Sequence, residues 1–140
     1  MSSINLSGLW TFVIVYGPEY GENKGEKLIF EAEFSQSDDM FTAVGIDKDG
    51  VGMSPDLAKI KGFLDGDKIS FVKQYEFSHY ASGDGKTIVD NNNPGHEINY
   101  FGTYDAVNNL FYGDWDITTR PKGFWYDITC TGTWTMERLK

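Results

Sequence analysis

Along most of this chain apolar and polar residues alternate one for one, the period of a β-strand with a single wet face. The clearest run is 124–136. There Phe124, Tyr126, Ile128, Cys130, Gly132, Trp134 and Met136 share one parity, while Asp127, Thr129, Thr131, Thr133 and Thr135 share the other. The same alternation predicts strands over 9–16, 28–34, 40–46, 57–64, 68–77, 97–106 and 110–118. Turn-forming residues punctuate them: Gly17-Pro18, Asp47-Lys48-Asp49-Gly50, Asp65-Gly66 and Asn108-Asn109. The polar stretch 19–25 and the Gly/Asn-rich stretch 78–95 read as loops, and Ser54-Pro55-Asp56-Leu57-Ala58 has room for one helical turn. No segment carries a sustained helical period.

Parity ties the strands into one inner surface. The inward set is even in 57–64 (Ala58, Ile60, Gly62, Leu64) and odd in 68–77 (Ile69, Phe71, Lys73, Tyr75, Phe77). A two-residue hairpin pairs positions of odd sum, so that switch keeps the face constant. Strands 97–106 and 110–118 behave alike, and a turn at Asn108-Asn109 sets Gly102 opposite Trp115 and Gly113 opposite Tyr104. A Gly-x-aromatic step also recurs, at Gly8-Leu9-Trp10, Gly102-Thr103-Tyr104, Gly113-Asp114-Trp115 and Gly132-Thr133-Trp134. Strand glycines mark bends and close approaches, and a sheet that bends strand after strand curls shut. The expected fold is all-β: about eight antiparallel strands in an up-and-down barrel, with residues 1–140 as a single domain.

The totals narrow the function classes. The 140 residues are 16% aromatic and carry a formal net charge of -9, which disfavours nucleic acid and anionic membranes as partners. Cys130 is the single cysteine, so no internal disulfide forms. With no basic-then-apolar leader at the N-terminus and no long apolar run, the expected location is cytoplasmic. No nucleotide fingerprint, P-loop or Gly-x-Ser-x-Gly is present, and no cofactor is expected.

The two ends of the chain resemble a known group. Ser7-Gly8-Leu9-Trp10 is similar to the Gly-x-Trp signature of the lipocalins and the wider calycin superfamily, and Gly132-Thr133-Trp134-Thr135-Met136-Glu137-Arg138 is similar to their closing strand. The resemblance implies a barrel whose floor is closed by Trp10 beneath the Arg138 guanidinium. It spans the whole length in rhythm and only the ends in motif, since the Thr-Asp-Tyr-like second signature is missing. The fatty-acid-binding branch has a helical lid after the first strand, for which 17–25 is too short.

Candidate chemistry centres on Lys73, whose parity sets an ammonium among inward rings. A buried ammonium needs an acid or a ligand anion, unless the side chain snorkels out at the barrel mouth. Lys73, Tyr75, Tyr100, Tyr104, Trp115 and Tyr126 form the candidate ligand set. It would bind a small, mostly apolar or amphipathic molecule by its polar end, for which a carboxylate or phenolate is suited. This reading makes the protein a binder rather than an enzyme. Two alternatives stay open: a small lyase or isomerase using Lys and Tyr as acid and base, and a filled barrel acting as an interaction module, homodimer included. His79 and His96, with Asp84, Asp90 or Glu97, have weak metal potential, and no metal is expected. Asp47-x-Asp49-Gly50 reads as a hairpin turn rather than a calcium loop, and Cys130 as a buried structural thiol.

Overall fold

The computed structural model describes residues 4–81, 87–90, 95–120 and 123–139; for residues 78–81 and 87–90 it describes the backbone alone. Eight antiparallel strands close into a barrel: β1 (Gly8–Tyr16), β2 (Lys27–Ser37), β3 (Met40–Gly50), β4 (Ala58–Asp65), β5 (Lys68–Tyr75), β8 (Glu97–Asp105), β9 (Leu110–Thr119) and β10 (Ile128–Arg138). Neighbours run β1-β10-β9-β8-β5-β4-β3-β2 and back to β1, the up-and-down order the alternation predicts. Between β5 and β8, the stretch 78–95 holds a separate two-stranded ribbon, β6 (Ser78–Ala81) with β7 (Thr87–Asp90), where the sequence reads as loop.

The inward parities hold in the barrel strands, and the rings they carry pack edge to face through the interior. Phe12 meets Phe30 at 5.3 Å, Phe71 stacks on Tyr100 at 4.7 Å, and Trp134 stands on edge against Phe71 at 5.4 Å. Two indoles lie across neighbouring strands rather than pointing down the axis. Trp134 on β10 sits opposite Gly113 on β9, and Gly113 sits opposite Gly102 on β8. A Cβ on Gly102 would stand 2.7 Å from Trp134 Cζ2, so Gly102 is the bed on which the indole rests, while a Cβ on Gly113 would strike the β8 backbone at Phe101 and Gly102. Its Nε1 donates to the carbonyls of Asp114 (3.0 Å) and Phe101 (3.2 Å). Trp115 mirrors this in the other direction. It crosses Gly132 on β10, and its Nε1 donates to Thr133 O (3.1 Å) and Val15 O (3.2 Å).

Register differs from expectation in the β8–β9 hairpin: Tyr100 faces Trp115 and Tyr104 faces Phe111. The turn spans four residues instead of two. Asp105 Oδ1 accepts the backbone N–H groups of Val107 and Asn108, and Asn109 takes the left-handed conformation at φ 56°. The odd sum survives, so every side chain keeps its face. β10 begins at Ile128, not 124, and leaves Phe124, Trp125 and Tyr126 in the preceding connection. The 54–58 helical turn does not form. A 3₁₀ helix, Pro18–Asn23, follows β1 instead, with Pro18 opening it.

The floor is closed as the resemblance implies. The Arg138 guanidinium lies 4.6 Å from the Trp10 ring centroid, and the two residues are ladder partners of β1 and β10. Arg138 also donates to the carbonyls of Ser7 and Asn5, and Trp10 Nε1 donates to Leu6 O at 2.7 Å. These bonds draw the N-terminal segment under the barrel and bury Leu6 completely. Gly8, at φ 123°, adopts a backbone that other residues rarely reach, and its missing side chain leaves room for Arg138 Nη1.

Gly132→Ala should cost about 2 kcal/mol or more in urea unfolding, because its Cβ would overlap both the Trp115 indole and the Val15 carbonyl. Near-UV circular dichroism should lose intensity with it. Arg138→Met should cost about 1 kcal/mol by the same measurement.

Candidate functional site

Opposite the Arg138 floor, the barrel carries its longer connections: the 3₁₀ helix after β1, residues 51–57 between β3 and β4, the β6–β7 ribbon, and residues 123–127 before β10. Lys73 hangs inside, toward this mouth end. It lies on β5 between Ile60 of β4 and Ile98 of β8, on the inward parity of Ile69, Phe71 and Tyr75. Only 1% of it is exposed, so it does not snorkel to bulk water. Its Nζ stands 4.4 Å from the Phe30 ring centroid, 4.9 Å from that of Tyr75 and 5.3 Å from that of Tyr100. Ring faces carry negative charge density and partly replace water around the ammonium. Among the described residues, none hydrogen-bonds Nζ and no carboxylate comes within ion-pair reach. Desolvation therefore dominates and pushes the Lys73 pKa down to about 8, while the charge of Asp47 pulls the other way.

Asp47, whose Asp-x-Asp-Gly setting predicts a turn, is an inward acid of β3. β3 does not stop at Ile46. It continues to Gly50 with Lys48 as the extra residue of a β-bulge, and Phe30 pairs with Asp47 inside the barrel. Asp47 is 4% exposed. One of its oxygens accepts the Tyr75 hydroxyl at 2.6 Å and the other accepts the Ser54 backbone N–H at 2.8 Å. Residues 51–57 are thereby drawn over the mouth, with a further tie from the Tyr16 hydroxyl to Val51 O at 2.7 Å. Burial, reinforced by the Asp47 charge, raises the pKa of Tyr16, Tyr75 and Tyr100, so all three stay neutral phenols. The Tyr100 hydroxyl, like Lys73 Nζ, has no hydrogen-bond partner among the described residues, although Tyr100 is only 1% exposed.

The 3₁₀ helix sets Tyr20 over the same end. Its ring lies 4.7 Å from Tyr16 and 5.9 Å from Trp115. Glu19 anchors the helix by accepting both the N–H and the hydroxyl of Thr131, bonds that lower its own pKa. Cys130, half-buried beside Tyr20, has its thiol pushed up by burial and by the Glu19 charge, the reverse of an activated nucleophile.

The structure thus brings together Lys73, Tyr75, Tyr100 and Trp115 of the candidate set. Trp115 takes part through its ring alone, because backbone carbonyls already occupy its N–H. Tyr104 lies at the floor end, packed on Phe111 and bonded to Asn109 Oδ1. Tyr126 is 48% exposed outside β10, grouped with Phe124 and Trp125, so the inward placement of 124 and 126 is corrected. The side chains of His79 and Asp90, and the whole of Asp84, lie outside the described residues; His96 is exposed. Among the described residues no group of three His, Cys, Asp or Glu side chains could hold a metal. Likewise, no helix there is long and apolar enough to cross a membrane. No protein-family model matches the chain, and comparison with curated proteins and with solved structures yields no match.

The buried lysine makes a pH prediction. Its native pKa of about 8 lies below the unfolded value of 10.5, so between these the unfolded chain binds more protons and stability rises with pH. The raised tyrosine pKa values act oppositely, above pH 10 where unfolded tyrosines ionise. Relative to Lys73→Met, the wild type should therefore gain roughly 1 kcal/mol per pH unit between pH 8 and 10, read from urea unfolding. A constant difference between the two proteins would show that Lys73 is not held as a dry cation.

Proposed function

We propose that this protein binds a small, mostly apolar molecule at the mouth end of the barrel, with the polar end of the ligand on Lys73 and Tyr100. One observation carries the reading: Lys73 and Tyr100 are each only 1% exposed, Lys73 Nζ lies 5.3 Å from the Tyr100 ring centroid, and neither Nζ nor the Tyr100 hydroxyl has a hydrogen-bond partner among the described residues. Buried polar groups without partners are rare in folded proteins, and a ligand acceptor would satisfy both. Phe30, Trp115 and Tyr75 supply flat apolar walls. The closed up-and-down order and the Arg138–Trp10 floor support placing the chain beside the lipocalins and the calycin superfamily. A cytoplasmic setting fits the lone thiol.

A second reading draws on the Asp47–Tyr75 hydrogen bond beside Lys73. A carboxylate, a phenol and an amine within one site suit acid–base catalysis by a lyase or isomerase. The fate of the bound molecule separates the two: a binder returns it unchanged.

Native mass spectrometry of protein purified from its own host should reveal a co-purifying small molecule. Lys73→Met should weaken its retention roughly thirtyfold, equivalent to about 2 kcal/mol, with the near-UV spectrum unchanged. Apo protein in every preparation, with equal behaviour of wild type and Lys73→Met, would remove the proposal.

A further inference from the structure

Charge balance within the mouth end constrains the ligand further. Among the described residues, Lys73 and Asp47 are the only buried charged side chains. The mouth end therefore itself supplies one buried amine and one buried carboxyl group. A carboxylate or phenolate ligand would leave two anions sharing one ammonium in a region of low dielectric, and an uncompensated buried charge is costly. A neutral ligand adds no charge. Both Asp47 oxygens are occupied, by Tyr75 and Ser54. Asp56, in the 51–57 connection, also has a buried oxygen without a partner. Beside Lys73 itself the unpaired groups are donors, the ammonium and the Tyr100 hydroxyl, and the ligand atom that fits them is a neutral acceptor such as a carbonyl oxygen.

An amine facing a carbonyl in dry surroundings has further chemistry open to it. Resting on the ligand-site reading above, we propose that Lys73 captures a neutral aldehyde with a flat apolar body as an iminium, with Asp47 as its counter-charge. After the ammonium gives up one proton, the free amine lone pair attacks the carbonyl carbon and forms the C–N bond while the carbonyl π pair moves to oxygen. The nitrogen, now positively charged, passes a proton to that oxygen and recovers its lone pair, and the proton released by the ammonium serves the second protonation. The C–O bond of this carbinolamine then breaks, oxygen leaves as water after a second protonation, and the nitrogen lone pair closes C=N. Overall, ammonium plus aldehyde gives iminium plus water, with no oxidation or reduction. The site carries one positive charge before and after, so Asp47 balances both states. Burial favours the step because it makes the neutral, nucleophilic amine accessible near neutral pH. Tyr100, kept protonated by burial, remains a donor for the carbonyl oxygen.

The test uses the full chain with benzaldehyde as probe, borohydride to trap the iminium, and peptide mapping to locate the benzyl group. Lys73 should be labelled about tenfold more than any exposed lysine, and urea unfolding should abolish that preference. Lys73→Met should lose the selective label and leave the exposed lysines as before. Ligand-observed NMR with benzaldehyde and with benzoate provides the second arm. Equal labelling of Lys73 and the exposed lysines overturns the iminium. If benzoate then still binds in a Lys73-dependent manner, the ligand site survives as an anion site. If neither compound shows Lys73-dependent binding, the site reading falls as well.

Discussion

An indole can lie flat across a β-strand only where that strand offers no side chain, and this one steric condition organises the interior. Trp134 rests on Gly102, and Trp115 rests on Gly132, each reaching backbone carbonyls on two strands. The two rings run in opposite directions around the barrel, so β8, β9, β10 and β1 are tied by side chains as well as by their ladders. An eight-stranded barrel is only just wide enough for its side chains. Rings laid along the wall, rather than across the bore, decide how that narrow space is divided.

The division is uneven between the two ends. At the floor, Trp10, Leu6 and Arg138 close the bore, with the Trp10 indole N–H and both terminal nitrogens of Arg138 bonded to backbone carbonyls. At the mouth, the same wall carries an ammonium, a carboxylate and several phenols. Asp47 is fully engaged, holding Tyr75 and the 51–57 connection, whereas Lys73 has only ring faces around its charge. For stability alone an apolar residue at 73 would do better, since a buried cation with no hydrogen-bonding partner among the described residues is a net cost.

Much of this was legible from alternation alone. The inward face of β4, β5, β8 and β9 followed from parity, which is insensitive to turn length as long as the paired sum stays odd. The Gly102–Gly113 pairing was missed for that same reason: a four-residue turn and a two-residue turn give identical faces and different neighbours. Tyr126 was misread because alternation continued past the point where β10 stops pairing with β9 at Ile128–Thr119. Asp47 carried a signal that was passed over. It follows Phe41, Ala43 and Gly45 at the correct period, but Asp-x-Asp-Gly has turn composition, and composition outweighed parity.

From the chain of residues alone came the strand count, the inner faces and the inward position of Lys73. All of these follow from local period and from pairing arithmetic, which involve neighbours in sequence or across one hairpin. The company that Lys73 keeps is of another kind. Phe30 and Asp47 approach it from β2 and β3, Tyr100 from β8, and the 3₁₀ helix brings Tyr20 to the same end. Such meetings depend on how far the sheet curls before it closes and on a single bulge at Lys48, and no local pattern encodes a distance across the bore.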